Sequence, residues 1–237
     1  MRILFGFFAC LAISLAGSNS VFAAWVYNAN KEFVEYETTP GNSGPNLAPS
    51  FSNFQAGTSL TLGGFTPFAS TLHTDSWNGY SDLQGWRQPQ GFQASAVVVN
   101  TSTAPVTALS VIGPIDPSQI LMHGGLLAGD PDSVPVGNAV LRFTASNEGY
   151  YSIIGDWESL DSGSTINYVL KNGSILDTDT SNLTQDFNLT NIFLGVNDTI
   201  DFVVTYDGSF INDSTWVGWD WARWNCETTS SSQSCLV

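Results

Sequence analysis

Hydrophobic and polar residues alternate over short runs through most of the chain, and turn residues separate the runs. Such period-2 alternation marks strands with one buried face, because successive side chains leave a pleated backbone on opposite sides. Ala94–Val99 and Ala139–Thr144 are short apolar or mixed strands, and Tyr150–Ile154 follows a Glu148-Gly149 turn. Ile166, Tyr168 and Leu170 alternate with Asn167, Val169 and Lys171. Asn172-Gly173 then signals a hairpin, since both residues tolerate the positive φ of a type I′ turn. Ser174–Leu176 is the return strand, and Asn191–Gly195 leads into an Asn197-Asp198 turn. Ile200, Phe202, Val204 and Tyr206 face one way, while Asp201, Val203 and Thr205 face the other. Beyond the N-terminal segment, no stretch shows a long 3.6-residue apolar period with caps, so no helix is expected there. Many short strands at a spacing of about 8–12 residues predict an all-β chain, a jelly-roll-like antiparallel β-sandwich.

The N-terminal segment departs from this pattern. Met1-Arg2 precedes an apolar run from Ile3 to Ala16, then polar Gly17–Ser20 and the small residues of Val21-Phe22-Ala23. This is the form of a secretory signal at residues 1–23, cleaved after Ala23. The run is short of the roughly 20 residues that span a bilayer. No second long apolar stretch follows, so the mature form is expected to be exported with no membrane span. Cys10 leaves with the signal. Cys226 and Cys235 then form an even pair outside the cytoplasm, for which a disulfide is the default. So short a loop is worth roughly 2–3 kcal/mol in the chain-entropy picture. The expected organisation is a single β-sandwich domain over residues 24–225 and a disulfide-closed tail over 226–237. Within the domain, Pro40–Pro49 reads as a long loop and Pro114–Pro135 as an ordered crossover.

Charge narrows the function classes. The 237 residues carry 6 Lys+Arg against 21 Asp+Glu, a formal net charge of −15. Binding nucleic acid or an anionic membrane surface needs clustered cations, so neither is expected. Charged residues make up only 11%, and 43% are hydrophobic, which suits a packed core and not a charge-rich disordered chain.

From Ile120 to Trp216 the chain carries an ordered set of short segments. They are Leu121-Met122-His123-Gly124-Gly125, Val140-Leu141-Arg142-Phe143-Thr144-Ala145, Gly149-Tyr150-Tyr151-Ser152-Ile153, Asp161, Val169–Ser174, Asn197–Val204 and Asn212-Asp213-Ser214-Thr215. This set resembles a β-sandwich domain of exported bacterial proteins of the PEP-CTERM, exosortase-sorted type. Gly124 and Ser146 stand where that family has proline, and the chain ends at Cys235-Leu236-Val237 without a sorting motif. The resemblance implies a fold and an extracytoplasmic location, secreted or at the cell surface, and no particular reaction. It gives His123 a structural hydrogen bond between crossover and sheet. It also puts Asp161 and Asp213 at motif positions, which makes them candidate partners for Arg142.

Arg142 sits on an otherwise apolar strand, and a buried arginine needs a carboxylate; the alternative is capture of an acidic ligand. His73 and His123 are the two histidines, about 50 residues apart, and no G-x-S-x-G elbow is present. No catalytic residue is assigned. Asp156, Glu158 and Asp161, the pair Asp130 and Asp132, and the pair Asp177 and Asp179 are hard-oxygen groups that suit a structural calcium ion. A solvated acidic surface is the alternative, and metal ligands stay unassigned. Trp216-Val217-Gly218-Trp219-Asp220-Trp221-Ala222-Arg223-Trp224 concentrates four of the eight tryptophans. On a strand, Trp219 and Trp221 share one face, and Trp216 and Trp224 share the other. Trp77 and Trp86 lie in a second aromatic and polar cluster. Exposed tryptophan faces stack on sugar rings, while buried ones supply core area. The leading expectation is a non-catalytic binding module for a glycan or matrix polymer. A structural or adhesion protein and a carboxylate-dependent glycoside hydrolase are the alternatives.

Overall fold

A computed structural model describes residues 27–38, 53–77, 79–88, 95–109, 112–117, 119–125, 137–159, 165–180, 184–206, 214–218, 227–229 and 232–234. The segment expected to be a signal, the stretch Pro40–Pro49 expected to be a loop, Asp130, Asp132, Asp161, Asp213, Trp219, Trp221, Trp224, Cys226 and Cys235 lie outside these residues. One helix, α1 (Ala29–Thr38), precedes the strands β1 (Phe54–Ser59), β2 (Thr66–Pro67), β3 (His73–Thr74), β4 (Leu83–Arg87) and β5 (Ala96–Asn100). Then come β6 (Val106–Leu109), β7 (Ile112–Ile115), β8 (Gln119–His123), β9 (Asn138–Thr144), β10 (Gly149–Ser159) and β11 (Thr165–Lys171). The last are β12 (Ser174–Asp179), β13 (Gln185–Leu194), β14 (Thr199–Tyr206), β15 (Ser214–Gly218), β16 (Glu227–Thr229) and β17 (Ser232–Ser234).

Sheet A runs β12-β11-β14-β9-β1-β2, and sheet B runs β13-β10-β15-β8-β5-β4-β3. Within them, β8 to β15 form a jelly roll: β8, β15, β10 and β13 are neighbours in one sheet, and β9, β14, β11 and β12 in the other. β1 and β2 widen sheet A beyond β9, β5, β4 and β3 widen sheet B beyond β8, and β6 and β7 pair with each other as a separate ribbon. The all-β sandwich expected from alternation is therefore the fold. At the hairpin joining β11 and β12, Asn172 has φ 48° and Gly173 φ 79°, the left-handed pair a type I′ turn requires.

Two expectations are corrected. A helix does follow the N-terminal segment. The side-chain oxygen of Asn28 accepts the Lys31 N–H at 2.8 Å, which caps the first turn of α1. Ala29 and Phe33 are fully buried one turn apart. The next place on that stripe is Glu37, an acid, so the apolar period is too short to be read as helical. The Pro114–Pro135 stretch is not one crossover loop either. Pro114 lies in β7, which pairs with β6, and β8 follows at once at Gln119.

The main core lies between the sheets. Ile200, Phe202 and Val204 of β14 meet Val97 and Val99 of β5, Ile120 and Met122 of β8, and Trp157 of β10. Trp157, Phe187 and Phe202 pack with ring centroids 5.6–6.4 Å apart, an arrangement that adds to their area burial. Both sheets also carry apolar clusters on their outer faces. Leu83, Ala96, Val98 and Leu121 outside sheet B are covered by Trp77 and Ile115, with Tyr80 and Val106 against them. Val140, Leu170 and Val203 outside sheet A are covered by Phe65 and Tyr168.

The short pair β16 and β17 is registered Glu227 to Ser234, Thr228 to Gln233 and Thr229 to Ser232. Cys226 and Cys235, which flank this pair in sequence, lie outside the described residues. Neither thiol of the purified chain is expected to react with an alkylating reagent in denaturant until a reductant is added; labelling before reduction would exclude the bond. In the main core, Phe202→Ala is expected to cost about 3–5 kcal/mol, measured as a lower midpoint in urea unfolding.

Candidate binding surfaces

Arg142 and Asp201 are opposite residues of β9 and β14 on the outer face of sheet A. Arg142 Nε donates to Asp201 Oδ1 at 2.6 Å, and its Nη2 donates to Oδ2 at 2.7 Å. This is a bidentate fork on a carboxylate that is itself fully buried. The guanidinium lies 4.2 Å from the ring centroid of Phe65, a cation–π contact. Phe65 in turn sits against Gly57 of β1, where a Cβ would collide with the ring. Burial raises the Asp201 carboxyl above its ordinary value, opposed by its hydrogen bonds and attraction to Arg142. The expected partners Asp161 and Asp213 give way to Asp201. The physical reason is register: a cross-strand neighbour on the same face needs no loop to be ordered around it. Alternation on β14 puts Asp201 opposite the apolar face, and the pairing of β14 with β9 brings it to Arg142. With its fork filled, Arg142 does not offer that fork to an acidic ligand.

Sheet B has a different outer face. Glu158 on β10 pairs in register with position 216 on β15, which pairs with Leu121 on β8. One row away, Asp186 of β13 opposes Asp156 of β10, which pairs with Gly218 and, through it, with Gln119. Gln119 Nε2 donates to Glu158 Oε2 at 3.1 Å. Three carboxylates and an amide therefore surround the place where the tryptophan-rich segment enters the sheet. Asp156 and Asp186 stand directly opposite one another on this outer face. Asp186 is a site residue that sequence reading missed, because β13 has to be paired with β10 before the two acids meet.

The other candidates are placed as follows. Trp77 is 4% exposed and Trp86 is fully buried, so neither offers a face to a ligand, which corrects that expectation. Trp77 is bridged to Tyr80 over the outer cluster of sheet B. Trp86 points into the main core, with Phe33 of α1 at 5.7 Å. Short polar loops around large rings had suggested exposure, but the same loops fold the rings inward. His123 is buried at the end of β8, in register with Ala96 and Ser214. His73 sits between two carboxylates. Its Nε2 is 2.7 Å from Glu37 Oε2 of α1, and its Nδ1 is 3.4 Å from Asp75 Oδ1. Among the described residues no three His, Cys, Asp or Glu side chains converge as a metal site. Asp179, one of the expected calcium candidates, is buried and accepts a hydrogen bond from Asn167 at 3.2 Å. No helix among the described residues is long and apolar enough to cross a membrane.

No known family model matches the chain, and no curated protein does. Several solved structures show partial likeness, among them the following three. The tandem CBM51 modules of the family 98 glycoside hydrolase Sp3GH98 from Streptococcus pneumoniae are 8% identical over 53% of this chain and 36% of that one, with a TM-score of 0.34. The CBM51 of Clostridium perfringens GH95, in complex with methyl-galactose, is 11% identical over 52% of this chain and 84% of its own, with a TM-score of 0.33. Rabbit GITRL is 18% identical over 32% of this chain and 67% of its own, with a TM-score of 0.27. What those proteins bind is a property of theirs.

Removing one partner of the Arg142–Asp201 pair strands a buried charge. Arg142→Ala is therefore expected to cost about 3–5 kcal/mol, seen as a large fall in thermal midpoint. A variant that melts like the parent would show that the fork carries no structural load.

Proposed function

We propose that this chain is an exported, non-catalytic β-sandwich binding protein that takes a neutral glycan on the outer face of sheet B. One observation carries the reading. The register sets position 216, the first tryptophan of the Trp216–Trp224 segment, in line with Glu158 and beside the row of Asp156, Asp186 and Gln119. Glycan sites combine an apolar platform with a few polar groups that fix orientation. Carboxylates and an amide accept hydrogen bonds from sugar hydroxyls, and an indole supplies stacking area. The acid excess of the chain, −15 in net charge, speaks against anionic polymers at the same face. Secretion, the single-domain boundaries and the membership suggested by the PEP-CTERM-type resemblance belong to this proposal too.

Titration of the purified chain against neutral polysaccharides is expected to give a submillimolar Kd. Trp216→Ala and Asp156→Asn should each weaken binding about tenfold, equivalent to about 1.4 kcal/mol. Glycans that bind equally to both variants would move the site elsewhere. Release of reducing ends, lost on the same Asp156 substitution, would replace the binding reading with a hydrolase.

A further inference from the structure

The buried stripe of α1 runs Ala29, Phe33, Glu37, and its last member is an acid whose side chain is only 1% exposed. The helix bridges both sheets at the open side of the sandwich. Toward sheet A, Glu32 Oε2 accepts the Asn53 N–H at 3.3 Å, next to β1. The Tyr27 ring, just before the helix, packs on Phe143 of β9 at 5.1 Å. Toward sheet B, Phe33 packs on Trp86, and Glu37 meets His73 of β3 at 2.7 Å. His73 pairs in register with Trp86, and the two rings lie 5.5 Å apart. Glu37 Oε1 has no hydrogen-bond partner among the described residues. Among the described residues, the polar interaction of this buried carboxylate passes through one imidazole.

We infer that His73 and Glu37 form a proton-dependent latch that holds α1 in the mouth of the sandwich. With the ring protonated, a buried carboxylate faces a cation across a charge-assisted hydrogen bond. With the ring neutral, the same carboxylate stays buried against a neutral partner, which is costly in a water-poor site. The charged and titratable groups around the ring are few. Glu37 comes from α1, and the exposed Asp75 follows β3 on the other ring nitrogen. On β4 the ring meets Trp86, while Arg87 is the next residue along and belongs to the opposite strand face. The remaining charges of α1 are engaged elsewhere: Lys31 with Glu35 at 3.7 Å, and Glu32 with the Asn53 N–H. The direction of titration agrees with the geometry. The His73 value is raised above 6.5 by its hydrogen bond to Glu37, against the opposing effect of burial, with further attraction from Glu37 and Asp75.

The sign follows from linkage. A histidine whose value is raised in the docked state contributes fully below its ordinary value, and that contribution is lost as pH rises through the raised one. Undocking α1 uncovers the aromatic mouth lined by Trp86 and Phe143, so the latch would make that cleft open to alkaline conditions and closed to acid ones.

Hydrogen exchange of the full chain, corrected for the intrinsic pH dependence of amide exchange, reads the latch at Phe33 and Val34. Protection there is expected to be flat below pH 6.5. Above that it should fall up to about tenfold per pH unit, then level off once the ring is neutral in both states. Core amides of β14 should not follow this profile. Glu37→Gln should dock the helix with a profile flat to within about twofold, as one titrating charge pair is removed. A flat profile in the parent chain, or the same slope in Glu37→Gln, would overturn the latch. If Glu37→Gln does not fold, the parent still decides: an NMR midpoint for the His73 ring at or below 6.5 refutes it.

Discussion

Two sheets exclude water from a shared face only if every strand sends alternate side chains toward it, and that requirement governs most of this chain. Ile200, Phe202 and Val204 go inward from β14, and Asp201, Val203 and Thr205 go outward. A one-residue slip would exchange the two sets. The jelly-roll order meets the requirement by sending successive strands to opposite sheets at several points, so that contacts far apart in sequence close a single core. Long-range pairing of this kind is entropically expensive to assemble, and the large aromatic rings between the sheets offset that cost with buried area. Where the sheets part, beside β1 and β4, the gap is filled by α1 rather than by another strand.

The outer faces explain where the polar groups went. Loops and hairpins cover part of each, so some outward residues are as buried as inward ones. Asp201 is such a residue, and it is tolerable because Arg142 lies directly across the ladder. Other described cations also meet carboxylates. Lys171 donates to the Phe193 carbonyl at 2.6 Å and stands 3.8 Å from Asp198, Lys31 stands 3.7 Å from the exposed Glu35, and His73 meets the buried Glu37. With 6 Lys+Arg against 21 Asp+Glu, the surface is left mostly to acids, amides and hydroxyls.

Much of the fold was legible residue by residue. The Asn172-Gly173 turn, the two faces of β14 and the strands around Ala139–Thr144 could be read because each depends on near neighbours: turn dihedrals and period-2 alternation are local. The α1 helix was not legible, since a stripe of two apolar residues ending in Glu37 carries too little periodicity. The candidate site was less legible still. Asp156 was noticed, but Asp186 acquires meaning only when β13 pairs with β10. Arg142 was singled out correctly as needing a carboxylate, yet its partner was sought at motif positions instead of across the ladder. Trp77 and Trp86 were suspected of facing a ligand, because composition says that a ring is present and not which way its loop folds it.

The pattern of the chain alone determined an all-β sandwich and the places where the backbone must turn, because each follows from local dihedral preference or alternation. Tertiary structure decided which alternating set is inside. On β11 the more apolar set of Ile166, Tyr168 and Leu170 turns outward, and Asn167 and Val169 turn in, because Phe65 roofs the outer face while Asp179 reaches the inner one. It also decided which charges meet, since Arg142 with Asp201 and His73 with Glu37 are separated by many residues and joined only by packing.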